Sequence, residues 1–158
     1  MQRDFIATHG ENNPVMIGGI EMKPSFHKTK LHNDWVFRRG DVYCADPGKG
    51  SRGREALQGP VPVLVIQNDA GNVYSQKILT AEISTELDRV YIPTHVNIGT
   101  EGNLPEESVV RTENLMRLDK RSILYYLGHI SPEKMKLVDE AIETDCDIDF
   151  FPRELEAP

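Results

Sequence analysis

The chain has 158 residues, of which 39% are hydrophobic and 27% charged, and its formal net charge is −7. These values are typical of one soluble domain with a proper core, and no apolar run approaches the roughly 18 residues of a membrane helix. The N-terminus is polar and has no signal-peptide core, so we expect a cytoplasmic protein with no membrane partner.

The charge is unevenly distributed along the chain. Residues 1–37 hold four basic and four acidic side chains, residues 38–99 hold seven of each, and residues 100–158 hold seven basic and fourteen acidic ones. An acidic chain argues at first sight against a nucleic-acid partner, because phosphate contacts need Lys and Arg. A local basic patch is still compatible with the first two thirds, and the loop that contains Arg52 and Arg54 is the best candidate for it.

The cysteines and histidines do not form a metal motif. Cys44 and Cys146 are far apart and belong to no CxxC pair, so we expect reduced thiols. His27 and His32 have no Cys or third His nearby, so we expect surface histidines. The sequence therefore predicts neither a metal site nor a cofactor.

Composition divides the chain into three parts. Residues 1–37 contain scattered Gly and Pro and no sustained hydrophobic period, which predicts an N-terminal extension that is partly disordered or draped on the domain. Within it, Trp35 and Phe37 are expected to pack against the core. The domain proper is predicted over residues 38–152, followed by a tail over residues 153–158.

Most of this domain is predicted to form strands. The aliphatic run over residues 61–67 is closed by turn residues, which is typical of a central strand buried on both faces. A Gly-rich loop over residues 46–60 lacks the P-loop pattern, so an ATP site is disfavoured. The other predicted elements are a strand over 41–45, a hairpin loop over 68–72, strands over 73–84 and 92–98, and short strand pieces over 108–111 and 113–118.

The C-terminal third changes to helical signals. Asp119 is a good N-cap for a helix over 120–127 that stops at Gly128, and Ser131 with Pro132 begins a second helix. Apolar residues of the second helix recur at helical spacing and should face the core: Met135, Val138, Ala141 and Ile142. Strands followed by helices predict an α+β domain, a small antiparallel β-barrel flanked by C-terminal helices.

Several motifs in this order resemble those of MazF/PemK-type toxins. They are R-G-D-V-Y at 39–43, P-V-L-V-I-Q-N-D at 62–69, P-T-H-V at 93–96, S-V-V at 108–110, E-N-L at 113–115 and V-D-E-A at 138–141. The resemblance covers residues 38–150 and implies an SH3-like β-barrel with helices that forms a homodimer. It also implies the toxin of a type II toxin–antitoxin system, a metal-independent endoribonuclease on single-stranded RNA whose groove an antitoxin protein masks.

The chemistry that this resemblance implies needs a hydroxyl and a cation. The 2′-hydroxyl attacks the adjacent phosphorus and leaves a cyclic phosphate and a 5′-hydroxyl, while the cation stabilises the phosphorane. Carried over to this chain, the hydroxyl is Ser84, but the position of the usual arginine is Val61, which cannot carry charge. Either Arg52 or Arg54 replaces the missing cation, or both are solvated loop arginines.

Other positions match residues with which the family grips RNA. They are Ser51, Asn68, Ser108, Glu113 and Asn114. For each, the alternative is a polar turn or strand-end residue that satisfies the local backbone. For Glu113, on a short strand predicted to be buried, a functional or dimer-interface role is favoured. His95 invites assignment as a general base, but a structural histidine is favoured.

Two classes of function therefore stay open. One is an RNA-cleaving toxin with an altered active site. The other is a catalytically degenerate module of the same fold that binds RNA or an antitoxin-like protein, as Val61 and the acidic C-terminal third suggest. A weaker possibility is that residues 1–37 fold over the groove and inhibit it.

Overall fold

The computed structural model describes residues 15–17, 20–22, 29–48, 59–88 and 91–147. Within these ranges the elements are β1 (Val15–Ile17), β2 (Ile20–Met22), β3 (Thr29–Lys30), β4 (Asp41–Ala45), β5 (Val61–Val65), α1 (Asp69–Tyr74), β6 (Lys77–Ser84), β7 (His95–Gly99), β8 (Ser108–Asp119), β9 (Ile123–His129) and α2 (Pro132–Asp145). A 3₁₀ turn over Lys120–Ser122 joins β8 to β9. None of the helices in the described ranges is long and apolar enough to cross a membrane.

Seven strands form one antiparallel sheet in the order β3-β9-β4-β5-β6-β8-β7, while β1 and β2 pair separately. The strand predicted to be central, β5, lies in the middle of this order, and Val63, Leu64 and Val65 are fully buried. The antiparallel α+β fold is thus confirmed. The sheet of the described residues is open, with edges at β3 and β7, so the predicted barrel is not confirmed.

The two faces of the sheet have different covers. Helix α2 lies on one face, where Val138 and Ala141 pack with the core that includes Ala81 and Ile83. Ile78, on the same strand, packs on the opposite face. Because side chains alternate along a strand, Glu82 and Ser84 share the face of Ile78, away from α2.

The segment before β4 covers part of that second face. As predicted, Trp35 and Phe37 pack there, beside Tyr43 and Tyr126. Trp35 Nε1 donates a hydrogen bond of 2.8 Å to the Tyr43 hydroxyl. Strand β3 also pairs with β9. Residues 29–37 therefore make specific contacts with the sheet, although they lie within the predicted extension.

The predicted hairpin loop over 68–72 is wrong, because a short helix occupies this place. Asn68 Oδ1 accepts a hydrogen bond of 2.8 Å from the Gly71 N–H and caps α1, which runs over Asp69–Tyr74. The Asn72 side chain is buried and donates to the Gln67 carbonyl at 3.0 Å. Asn and Asp suit a helix start as well as a turn, and here the cap prevails. The next strand therefore begins at Lys77.

The predicted helix over 120–127 is also wrong. Asp119 caps only the 3₁₀ turn, by accepting from the Arg121 N–H at 2.9 Å, and β9 then runs between β3 and β4. Gly128 is not a helix stop: a Cβ built there would lie 2.7 Å from the backbone carbon of Gly102. The second helix is confirmed, with Ser131 as its N-cap and Pro132 at its start.

The two predicted pieces over 108–118 form one strand, β8, with a bulge. Ala81 pairs with Leu115, whereas the next residue, Glu82, pairs with Arg111. Residues 112–114 are therefore extra residues on β8, and they separate the two predicted pieces. Strand β7 begins at His95, later than predicted. Cys44 is buried and Cys146 exposed, and neither forms a disulfide, as predicted.

Candidate functional site

Ser84, the predicted hydroxyl, is the last residue of β6 and is half-buried. Its Oγ accepts a hydrogen bond of 3.1 Å from the Glu86 N–H. On one side Ser84 pairs with Val109 of β8. On the other side, β6 pairs with β5, and the last pair in the direction of Ser84 joins Val63 to Glu82. If this register is extended by two residues, Val61 lies opposite Ser84. The end of β5 that carries Val61 thus lies beside the end of β6 that carries Ser84.

The bulge of β8 holds two further predicted residues. Glu113 accepts a hydrogen bond of 2.5 Å from Nε2 of His95, whose side chain is 3% exposed. Glu113 itself is exposed, so its predicted place on a buried strand is wrong. Its neighbour Asn114 donates to the Glu82 carboxylate. Glu113 thus contacts β7, and Asn114 contacts β6 two residues before Ser84.

Hydrogen bonds keep the Glu113 carboxylate ionised. Partial burial by itself raises the pKa of Glu113, but hydrogen bonds from its own backbone N–H, from His95 and from Thr94 outweigh this and lower the pKa overall. A histidine that donates Nε2–H to a carboxylate has its orientation fixed. This arrangement supports the prediction that His95 has a structural role, which is to hold the Glu113 carboxylate in place.

Arg111 is the residue that the sequence analysis missed. It lies between the S-V-V and E-N-L motifs, pairs with Glu82 of β6 and with His95 of β7, and is largely buried. Its guanidinium donates a hydrogen bond of 2.8 Å to the Glu86 carboxylate. This bond and the nearby charges of Glu82 and Glu113 raise the pKa of Arg111 against the opposing effect of burial. The available signal was a lone cation between two motifs of the family.

Two predicted residues, Asn68 and Ser108, do not join the cluster around Ser84. Asn68 caps α1 beyond the end of β5 that is farther from Ser84. The Ser108 hydroxyl is buried and donates to the Glu106 carbonyl at 2.8 Å. Both therefore fit the alternative of a polar residue that satisfies the local backbone. Three further predicted residues, Ser51, Arg52 and Arg54, lie outside the described residues.

A separate cleft of about 680 Å³ lies between the N-terminal segment and the 3₁₀ turn, and Ser84 is not among its lining residues. Its walls include Trp35, Phe37, Val73 and Lys120. In the part of the chain that the structure describes, no group of three or more His, Cys, Asp or Glu side chains is arranged to hold a metal ion. The chemistry available at Ser84 is that of a hydroxyl, a guanidinium and several carboxylates.

The fold and this cluster define a class: small proteins with an antiparallel sheet, a C-terminal helix on one face and a polar strand end on the other. Residues 38–144 match the family model described as PemK-like, MazF-like toxin of type II toxin–antitoxin system. The chain therefore belongs to this toxin family, which confirms the resemblance found in its motifs.

Individual relatives agree with this assignment. The endoribonuclease MazF of Staphylococcus saprophyticus is 41% identical over 112 residues, which cover 68% of this chain and 89% of the relative. An endoribonuclease from a mycobacterial species superimposes with a TM-score of 0.60 at 25% identity, over 77% of this chain and 100% of that one. A mycobacterial endoribonuclease in complex with its cognate antitoxin has a TM-score of 0.59 at 27% identity, over 73% and 99% of the two chains.

Proposed function

We propose that this protein is a toxin of a type II toxin–antitoxin system that cleaves single-stranded RNA without a metal ion, in an active site altered at Val61. Family membership supports this proposal, as does the 41% identity to a named endoribonuclease, whose length the match covers to 89%. We further propose that it acts in the cytoplasm as a homodimer and that an antitoxin protein is its partner. One mycobacterial neighbour is described in complex with its cognate antitoxin.

The observation that carries the proposal is the placement of Ser84. Its hydroxyl lies at the end of β6, where Glu86 connects it to Arg111: the Glu86 N–H binds the hydroxyl and the Glu86 carboxylate binds the guanidinium. In the proposed reaction, O2′ of the RNA forms a bond to phosphorus and loses its proton, while the bond from phosphorus to O5′ breaks and O5′ gains a proton. The Ser84 hydroxyl donates a hydrogen bond to a phosphate oxygen and positions it. A nearby cation stabilises the charge that develops on the phosphorane.

The remaining predicted residues have assigned parts in this proposal. Glu113, held by His95, and Asn114 contact the RNA beside the scissile phosphate. Asn68 and Ser108 are proposed to support the ends of their elements. For the loop residues, the proposal keeps Ser51 as an RNA contact, and Arg52 or Arg54 as alternative cations.

The test is cleavage of a single-stranded RNA by the purified protein in the presence of EDTA. We expect cleavage products that end in a cyclic phosphate, and Ser84→Ala should lower the rate on the order of 10²-fold. Ser75→Ala is the matched control, because Ser75 Oγ accepts a backbone hydrogen bond of the same length, 3.1 Å, at the other end of the same strand. Equal rates for Ser84→Ala and Ser75→Ala would remove Ser84 from the mechanism.

A second candidate function is a catalytically degenerate module that binds RNA or an antitoxin-like protein. It is favoured by the apolar Val61 opposite Ser84 and by the three carboxylates around Arg111. Val61→Arg separates the two functions. If the wild type does not cleave RNA and Val61→Arg does, the natural protein is the binding module. If the wild type cleaves RNA, the second candidate is excluded.

A further inference from the structure

Arg111 is held in an unusual state for a buried arginine. Its side chain is 16% exposed, and its Nε is buried without a hydrogen-bond partner. In the described part of the chain, the only other buried side-chain nitrogen or oxygen without a partner is Nδ1 of His95. These two residues are directly paired across β8 and β7. Because native structures rarely leave buried polar atoms unpaired, two such atoms in one pair call for a functional explanation.

The sheet register puts this arginine within reach of Ser84. Ser84 pairs with Val109, and Arg111 lies two residues further along the same face of β8. Such diagonal neighbours are about 7–8 Å apart, a distance that a long side chain spans. The contacts agree, since Glu86 connects the two: its N–H binds the Ser84 hydroxyl and its carboxylate binds the Arg111 guanidinium.

The Glu86 carboxylate binds the Arg111 guanidinium in the way that a phosphate group would. A guanidinium binds carboxylates and phosphates with the same donor geometry. The Glu86 side chain is 74% exposed, so water can replace its bond at little cost, whereas Arg111 is fixed in the sheet. We propose that Arg111 is the phosphate-binding cation of this site, in place of the arginine missing at Val61, and that Glu86 occupies it until RNA displaces the carboxylate.

This inference rests on the proposed function for the cleavage step, but phosphate binding can be measured independently. The probe is a short RNA whose 2′-hydroxyls are replaced by hydrogen, so that it binds and cannot be cleaved. Fluorescence anisotropy gives its affinity, and an all-RNA oligonucleotide of the same sequence gives the cleavage rate. The variants are Arg111→Ala, Arg111→Lys and Glu86→Gln. The control is Arg117→Ala, an exposed arginine on β8 that pairs with Leu79 at the other end of the strand.

We expect Glu86→Gln to tighten binding of the uncleavable probe about fivefold, because it keeps the side-chain shape and removes the competing charge. Arg111→Ala should weaken binding and lower cleavage on the order of 10²-fold, with partial recovery in Arg111→Lys and no change in Arg117→Ala. The exposed Glu86 position keeps the test valid even if Arg111→Ala does not fold.

Three outcomes decide the matter. If Glu86→Gln binds the probe no more tightly than the wild type, the inference is wrong. If Arg111→Ala cleaves at the wild-type rate while an Arg52/Arg54 double alanine variant is inactive, the cation is in the loop and the inference is wrong, but the proposed function stands. If the probe binds in the expected order of variants and no variant cleaves RNA, the phosphate site stands and the ribonuclease activity is refuted.

Discussion

Trp35 tests where the folded domain begins. It precedes the residues that match the family model, 38–144, yet its Nε1 donates to the Tyr43 hydroxyl at 2.8 Å and its ring lies 5.3 Å from that of Tyr126. Tyr43 is fully buried and donates in turn to the Asp41 carboxylate at 2.8 Å. We therefore expect Trp35 to unfold together with the sheet rather than as part of a separate extension.

The size of the effect follows from these contacts. Replacing a buried tryptophan by alanine costs about 3–5 kcal/mol, and the half-buried Trp35 should cost roughly 2–3 kcal/mol of unfolding free energy. Trp35→Phe keeps most of the ring and loses one hydrogen bond, which should cost about 1 kcal/mol. Val36→Ala is the control, because Val36 is the next residue along the chain and is 52% exposed. This substitution should change the unfolding free energy by no more than about 0.5 kcal/mol.

Urea unfolding measures these differences, and the wild type provides a second test. Trp35 is the chain's one tryptophan, so its fluorescence reports this segment alone, while far-UV circular dichroism reports the whole fold. Coincident transitions are expected if the segment belongs to the cooperative unit. A fluorescence transition at lower urea, together with a Trp35→Ala variant as stable as the wild type, would refute this reasoning and support a domain that begins near Arg38.

Two further predictions concern a close contact and a titrating group. Gly128→Ala should lower the unfolding free energy in urea by roughly 3 kcal/mol, because its methyl group meets the backbone of Gly102. In the control Gly99→Ala the methyl group meets no atom within 4 Å, so only the positive φ should cost stability, about 1 kcal/mol. Equal costs for the two variants would contradict the backbone contact. The folded state lowers the pKa of Glu113, so its ionised form stabilises the protein above the unfolded pKa, and this stability is lost as pH falls through the folded pKa. Glu113→Gln should therefore reduce the dependence of unfolding free energy on pH in the acidic range where Glu113 titrates, and an unchanged dependence would contradict the lowered pKa of Glu113.

Local sequence signals predicted some elements well. The aliphatic run of β5 and the Ser131–Pro132 start of α2 are recognisable from adjacent residues alone, because the apolar run and the N-cap pattern are both local in sequence. Strand β9 was missed since its residues, Ile123–His129, also suit a helix after the Asp119 cap. Only its neighbours β3 and β4 decide the matter, by pairing on both sides. Tertiary context thus overrides local propensity there.

The site was predictable only in part for a related reason. Ser84, Glu113 and Asn114 were predicted as site residues because they match motif positions of the family, and their roles stay predictions. Arg111 was missed because its proximity to Ser84 comes from the pairing of β6 with β8, which no local pattern in the sequence reveals. The loop that carries Arg52 and Arg54 lies outside the described residues, so their role stays a prediction.

The bulge in β8 determines which of its side chains share a face of the sheet with Ser84. If the pairing of Ala81 with Leu115 continued without interruption, Ser84 would face Thr112, and Arg111 would point to the face that α2 covers. The three extra residues of the bulge are an odd number, so they reverse the alternation of side chains along β8. As a result Arg111 lies on the face of Ser84, while Thr112 is buried and bonded to the Thr94 carbonyl. The bulge therefore exposes Glu113 and Asn114 and also turns Arg111 to the face of Ser84.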